Sequence, residues 1–506
     1  MKLLKAPLIL LISLCLLTSC FEDNDDTAIS ASEINDFVWK GMNLFYLYKD
    51  NIPDLANNRF SSDSEYADYL NSFSSPEALF ESLIYQRETV DRYSWIVDDY
   101  IALGRFFEGC SIINGMEYSL YLDPDGSRNV FGVVRMVLAD SNAENQGLKR
   151  GDIFYEVNGT QLYYNSETDN NLNLFGSNSY SISLGTYNTQ GTSDTSDDTI
   201  DDINQTISLT KQELCENPIY RTDIFDVGTK KVGYLMYNGF TSDDGNGTDY
   251  DALLNNVFGN FKSNNIDDLI LDLRYNPGGS VNSAILLAGM ITGQFTGEVF
   301  STEEWNTEFQ AAFENENPEL LINRFVNNDD GASLNSLNLT KVYIIATEFS
   351  ASASELVINS LDPYIDVIHI GENTEGKYQA STTLYDSENF TREGVNPSHS
   401  YAMQPLIFKS LNSVGKTDYF NGLTPDIAIS ESINNLGVLG DASEPLLAAT
   451  LAEIENASGK LSRIKSSQIL MQKVDFKDKL HEKEEGMHVD KKLPSELVNQ
   501  FLFELP

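Results

Sequence analysis

Val342-Tyr343-Ile344-Ile345-Ala346 runs directly into Thr347-Glu348-Phe349-Ser350-Ala351-Ser352-Ala353-Ser354-Glu355-Leu356. The first five residues are an apolar, β-branched run of the length and type of a buried strand. Small residues follow, and then a helix begins. Small side chains let another backbone approach closely. A serine at a helix start has N–H groups and the helix dipole directed at developing negative charge. Serines before helices are also common caps, and Ser354 fits that role as well. The stretch therefore predicts a strand, a tight turn and a helix, the repeating unit of an α/β domain.

Two further segments share this grammar. Asp268–Leu273 is an apolar run that ends in Asp272-Leu273-Arg274-Tyr275-Asn276-Pro277-Gly278-Gly279. Proline cannot continue a strand ladder, and paired glycines let the chain turn sharply and expose N–H groups that can hold an anion. Apolar Ser280–Met290 follows as a predicted helix. Val367–Ile370 leads into Gly371-Glu372-Asn373-Thr374-Glu375-Gly376-Lys377. With Lys231–Leu235, these runs predict an α/β domain over 219–445. Taken singly, each segment reads equally well as a turn, a cap or a surface lysine.

Taken in order, DLRYNPGG, SASASE and GENTEGK resemble the carboxyl-terminal processing peptidases, or tail-specific proteases. The resemblance spans about residues 106–445, and Tyr419–Asp426 (YFNGLTPD) extends it. It implies a multidomain α/β protein: a ClpP/crotonase-like protease core with a PDZ domain and an N-terminal helical domain. It also implies Ser352 as nucleophile, Lys377 as general base, and the N–H groups of Gly279 and Ala353 as the oxyanion hole. Gly278, Glu355 and Thr374 fall on supporting positions. Many relatives carry a glutamine four residues after the lysine; here that position is Ser381, and the nearest glutamine is Gln379. Ser381 could orient the lysine, or the pair could act as a dyad. The chemistry needs a neutral amine, whereas a free lysine titrates near 10.4, so the site has to be buried. No cofactor or metal is implied. The implied function is a serine endopeptidase cleaving polypeptides recognised through their C-termini. The alternative is a catalytically inactive lipoprotein that binds peptide tails.

Upstream, Val130–Val137 (VFGVVRMV), Gly147-Leu148-Lys149-Arg150-Gly151-Asp152 and Ile153–Gly159 (IFYEVNG) resemble a PDZ domain over 106–218. That resemblance implies a carboxylate-binding loop near Gly109–Tyr118 and capture of a peptide as an added strand. Residues 188–205 hold five aspartates and no lysine or arginine, and read as a disordered acidic insertion. Residues 30–105 show helical periodicity from Ile34 to Tyr48 and form the predicted N-terminal helical domain. Residues 446–506 read as a helical, Lys-rich, solvated extension.

Met1–Cys20 (MKLLKAPLILLISLCLLTSC) pairs two lysines with an apolar run too short to span a bilayer, as in a secretory signal. Its end resembles a bacterial lipobox, which implies lipidation at Cys20. Residues 21–29 form an acidic tether. The expected location is the envelope of a Gram-negative-type bacterium, held on the outer membrane by lipid alone, on its periplasmic or surface face. Lys and Arg number 33 against 76 Asp and Glu, a net charge of −43, which excludes charge-driven nucleic-acid binding. The expected partners are polypeptides with accessible C-termini. Beyond the signal only Cys110 and Cys215 remain; they fit either a disulfide or two buried thiols, and the second reading is favoured slightly. His369 sits inside an apolar strand and reads as a core residue.

Overall fold

The computed structural model describes residues 31–192, 194–456, 471–474, 487–489, 495–502 and 505. The signal, Cys20 and the acidic tether lie outside the described residues. Among the described residues no helix is long and apolar enough to cross a membrane.

The N-terminal region is helical: α1 Ala31–Phe45, α2 Asp63–Asn71 and α3 Pro76–Ser82. Ser62 and Ser75 cap the second and third by accepting from Glu65 N and Ala78 N. These helices do not enclose a core of their own. Trp39, Phe45 and Phe80 belong to the same apolar cluster as Leu271, Leu356 and Phe408, far along the chain. Strand β1 Trp95–Val97 then leaves the helices, and α4 Tyr100–Phe107 follows.

The second region is strand-rich: β2 Cys110–Ile113, β3 Met116–Leu122, β4 Val130–Val137, the short helix α5 Asn142–Asn145, β5 Ile153–Val157, β6 Ser179–Asn188, β7 Thr199–Thr210 and β8 Gln212–Cys215. Its sheet runs β7-β6-β5-β4-β3, with β3 at the edge. The acidic stretch 188–205 is not the disordered insertion expected from its charge. Thr199 pairs with Asn188, and the hairpin continues to Thr210 opposite Ser179. Main-chain pairing is indifferent to charge on an exposed face, and the Thr/Ile content of β7 favours a strand. Strands β2 and β8 pair with Cys110 opposite Cys215, and the two cysteines are disulfide-bonded. This corrects the favoured reading as free thiols: strand register brings together residues 105 apart in sequence.

The third region holds β9 Ile219–Val227, β10 Lys230–Tyr237, α6 Tyr250–Ser263, β11 Asp268–Asp272, α7 Val281–Thr292, β12 Val299–Trp305, β13 Ile322–Arg324, β14 Lys341–Ala346, α8 Ala353–Leu361, β15 Asp366–Gly371, β16 Gln379–Ser381, β17 Leu384–Tyr385, β18 Ala402–Gln404, β19 Leu406–Asn412 and β20 Ile427–Ala428. Its main sheet runs β9-β10-β11-β14-β15-β20. All pairs after the first are parallel. Every residue of β11 is buried, as expected for a central parallel strand covered on both faces. A second sheet runs β13-β12-β19-β16, and β1 joins a third with β18 and β17.

Helices α9 Pro445–Asn456 and α10 Ser495–Leu502 stand at the ends of the C-terminal extension. The expectation of a wholly helical, solvated extension fails between them. Residues 471–474 and 487–489 are not helical, and Val474, Met487 and His488 are buried.

Candidate active site

The end of β11 is fixed by charge. Arg274 is fully buried and donates to both oxygens of Asp272, to Glu444 at 2.7 and 2.9 Å, and to Glu431 at 3.0 Å. Tyr275 donates to Glu431 at 2.5 Å. Burial alone would raise the Glu431 carboxyl, but the Arg150 and Arg274 guanidiniums outweigh it and hold it at about 2. Next, Asn276 Nδ2 donates to Tyr237 O (2.8 Å), while Asn276 Oδ1 accepts from Gly278 N (2.9 Å). Gly278 and Gly279 have φ of 113° and 131°. A Cβ on Gly278 would lie 2.6 Å from Ser352 Cβ, and one on Gly279 would lie 2.3 Å from Phe240 O. Only glycine fits either position. The neighbouring strand segment pairs with Gly278 O and with Ser280 N through Phe240. This ladder does not use the Gly279 N–H.

Most small residues after β14 are braces. Thr347 Oγ1 and Ser350 Oγ donate to the carbonyls of Arg274 (2.5 Å) and Leu273 (2.7 Å). Ser354 Oγ donates to Asn276 O (2.9 Å), and Ala351 N donates to the same carbonyl (3.1 Å). Ser354 is therefore a tie between two loops, and Ser352 stands at the N-cap of α8. Ser352 is fully buried, with φ 62° and ψ −112°. Such a backbone costs a non-glycine residue about 1–3 kcal/mol and is kept only where its surroundings enforce it. Its Oγ has no hydrogen-bond partner. Ala353 opens the helix, so its N–H has no intrahelical acceptor.

Glu355 binds the serine turn to the lysine loop. Its Oε2 accepts from Ser352 N (2.9 Å) and Lys377 N (2.8 Å). Its Oε1 accepts from Thr374 Oγ1 (2.5 Å) and Gly376 N (2.8 Å). Burial pushes this carboxyl up to about 7, against the pull of those donors. Thr374 Oγ1 also accepts from Leu423 N (2.7 Å), which seats the Tyr419–Asp426 segment beside the loop. Lys377 is 1% exposed, and its Nζ lies 4.7 Å from the centroid of the Tyr93 ring.

The structure thus collects Gly278, Gly279, Ser352, Ala353, Glu355, Thr374 and Lys377 at one place. Gln379 and Ser381 make hydrogen bonds elsewhere, and Gln379 Oε1 is buried without a hydrogen-bond partner. Gln379 Nε2 donates to Tyr48 OH (2.9 Å), and Ser381 Oγ donates to Met487 O (3.2 Å). Sequence reading missed Arg92 and Tyr93, whose side chains contact Glu375 at 3.2 Å and pack over the lysine loop. No local pattern marks them, because they lie in the irregular segment between α3 and β1. His369 is buried in β15, and burial lowers its pKa. It belongs to the core.

Residues 231–429 match the family model described as Peptidase family S41, and residues 33–95 match the one described as Peptidase S41 N-terminal domain. The chain carries a family S41 peptidase domain. Peptidases of this family are serine proteases. A crystal structure of a candidate S41 protease from Bacteroides fragilis superposes with a TM-score of 0.63 at 23% identity, covering 84% of this chain and 98% of that one. This likeness shows a shared mixed α/β multidomain fold. A photosystem II D1 C-terminal processing protease matches at a TM-score of 0.48 and 16% identity, over 85% of this chain and 99% of that one.

Proposed function

We propose that this S41 peptidase is a serine endopeptidase of the Ser-Lys type, acting on polypeptides in the cell envelope. One observation carries the reading. Ser352 alone among the small residues of its turn keeps an unpartnered, buried Oγ, and one carboxylate ties its backbone to that of Lys377. A neutral Lys377 amine takes the Ser352 proton as Oγ attacks a peptide carbonyl, then returns a proton to the leaving amine. Burial withholds the water that would solvate an ammonium. The N–H groups of Gly279 and Ala353 receive the oxyanion, each worth roughly 10²–10³ in rate. Water then hydrolyses the acyl-enzyme.

Residues 106–218 serve as a PDZ domain that receives a substrate strand, with C-termini as the recognised feature. The Cys110–Cys215 disulfide supports an oxidising compartment, in keeping with export and lipidation at Cys20. The test is mass spectrometry of an unfolded protein after incubation with purified enzyme. Wild type yields internal fragments and Ser352→Ala yields none; fragments from both would sink the assignment. The second reading, a tail-binding lipoprotein without turnover, draws on serine standing at position 381 and on the hydrogen bonds of Gln379 Nε2 to Tyr48 and of Ser381 to Met487. Peptide affinity without fragments from wild type would favour it.

A further inference from the structure

Two pieces of the C-terminal extension lie in strand slots. Leu122 N donates to Gln472 O and Val474 N donates to Leu120 O, each at 2.9 Å, so residues 471–474 extend the sheet at the open edge of β3. Val474 sits in the apolar cluster of that sheet beside Met116, Leu120 and Val134. Lys473 pairs with Glu348 at 2.5 Å and stands 4.1 Å from the centroid of Phe349, both residues of the turn that leads to Ser352. Farther on, His488 N donates to Gly279 O (3.1 Å), and Val281 N donates to His488 O (3.2 Å). On its other side Ser381 N donates to Met487 O (2.9 Å), and Val489 N donates to Ser381 O (3.1 Å). Residues 487–489 are thus a strand laid between the oxyanion turn and β16. A cavity of about 250 Å³ lies between the strand-rich region and the core, and Leu120, Gly278, Gly279, Lys473 and His488 help to line it.

We propose that this extension is a tethered competitor that occupies the substrate's own track. Substrates enter as extended polypeptide by displacing Met487–Val489 beside Gly279 and Met471–Val474 from β3. The slots offer main-chain donors and acceptors, which suits unfolded chain of any sequence. Preference comes from two side-chain positions. The Val474 position takes an apolar residue, and the Lys473 position takes a cation held by Glu348 over the Phe349 ring. The unpartnered Ser352 Oγ is in keeping with a resting state. A tether also acts at high effective concentration, so modest strand affinity suffices to block a free peptide. The inference rests on the peptidase reading of Ser352 for its consequence, though not for the occupancy itself.

Truncation is a poor test, because α10 docks on the body through Val498 and Phe501, the latter 5.3 Å from Phe309. Prolines at 474 and 489 instead remove one strand hydrogen bond from each slot. In a Ser352→Ala background, a fluorescent peptide of sequence 484–492 binds the Val474→Pro/Val489→Pro protein at least tenfold more tightly than its parent. With Ser352 present, the same prolines raise casein hydrolysis at least tenfold. Unchanged peptide affinity overturns the proposal, whatever hydrolysis does. Tighter binding without faster hydrolysis upholds the occupancy and overturns the peptidase reading. If the prolines impair folding, hydrogen exchange on the unmodified chain decides. The amides of Leu122, Val281 and Ser381 are protected if the slots are filled, and their immediate exchange contradicts the proposal.

Discussion

Ser352 and Lys377 donate their backbone N–H groups to the same carboxylate oxygen, Glu355 Oε2, at 2.9 and 2.8 Å. A single buried acid therefore sets both the strained turn of the serine and the path of the lysine loop. In the proposed mechanism Glu355 is a positioning residue, and its ionisation state bears on the four hydrogen bonds it accepts.

That carboxyl is pushed up to about 7 by burial, above the usual glutamate value near 4.3. The folded state then binds a proton more readily than the unfolded state between about pH 4.3 and 7. Stability therefore rises as pH falls through 7 and levels off below 4.3. Activity runs the other way, since a protonated Glu355 loses an acceptor position. Glu355→Gln is expected to flatten the pH dependence of thermal unfolding in that window and to lower kcat by at least tenfold. An unchanged slope in that variant would show that Glu355 does not titrate there.

Gly278 faces the Cβ of Ser352. The added methyl of Gly278→Ala would sit 2.6 Å away on a backbone with φ 113°. The serine turn has to move, so kcat falls at least a hundredfold, while melting temperature changes by only a few degrees. Steady-state kinetics beside thermal unfolding separates the two effects.

The three motif segments were legible because each is a local pattern: an apolar strand followed by glycine or small residues at a sharp turn. The main strands of the α/β sheet were legible for the same reason. Tyr93 over Lys377 and Tyr48 on Gln379 were not, since they come from turns some 280 to 330 positions upstream and carry no periodic mark. Nor were the strands at 471–474 and 487–489. They are held by main-chain hydrogen bonds, which any side chain permits, and their lysines suggested solvent. The Cys110–Cys215 bond depends on β2 and β8 pairing in register, which spacing alone does not reveal.

Arg150 links the strand-rich region to the end of β11, donating to Glu431 at 2.5 Å and to Tyr275 OH at 2.6 Å. Arg150→Ala leaves a buried carboxylate short of one partner and is expected to cost roughly 3 kcal/mol. Because Glu431 is held at about 2, below its unfolded value, its contribution is full above about pH 4.3 and fades as pH falls toward 2. Denaturant titrations should show the gap between wild type and variant narrowing over that range.

Gln379 donates its Nε2 to Tyr48 OH, while its Oε1 has no hydrogen-bond partner; in the dyad reading it does not orient the lysine. Gln379→Leu should change kcat less than tenfold. A loss near that of Lys377→Ala, read from initial rates on one peptide, would instead make Gln379 a third member of the site.

The central claim is that Lys377 activates Ser352. It is tested most directly by labelling the Val474→Pro/Val489→Pro protein with a fluorophosphonate and mapping the adduct by peptide mass spectrometry. The account predicts one adduct, on Ser352, that disappears in the same protein carrying Lys377→Met. No adduct on Ser352, or equal labelling with and without the lysine, would contradict it.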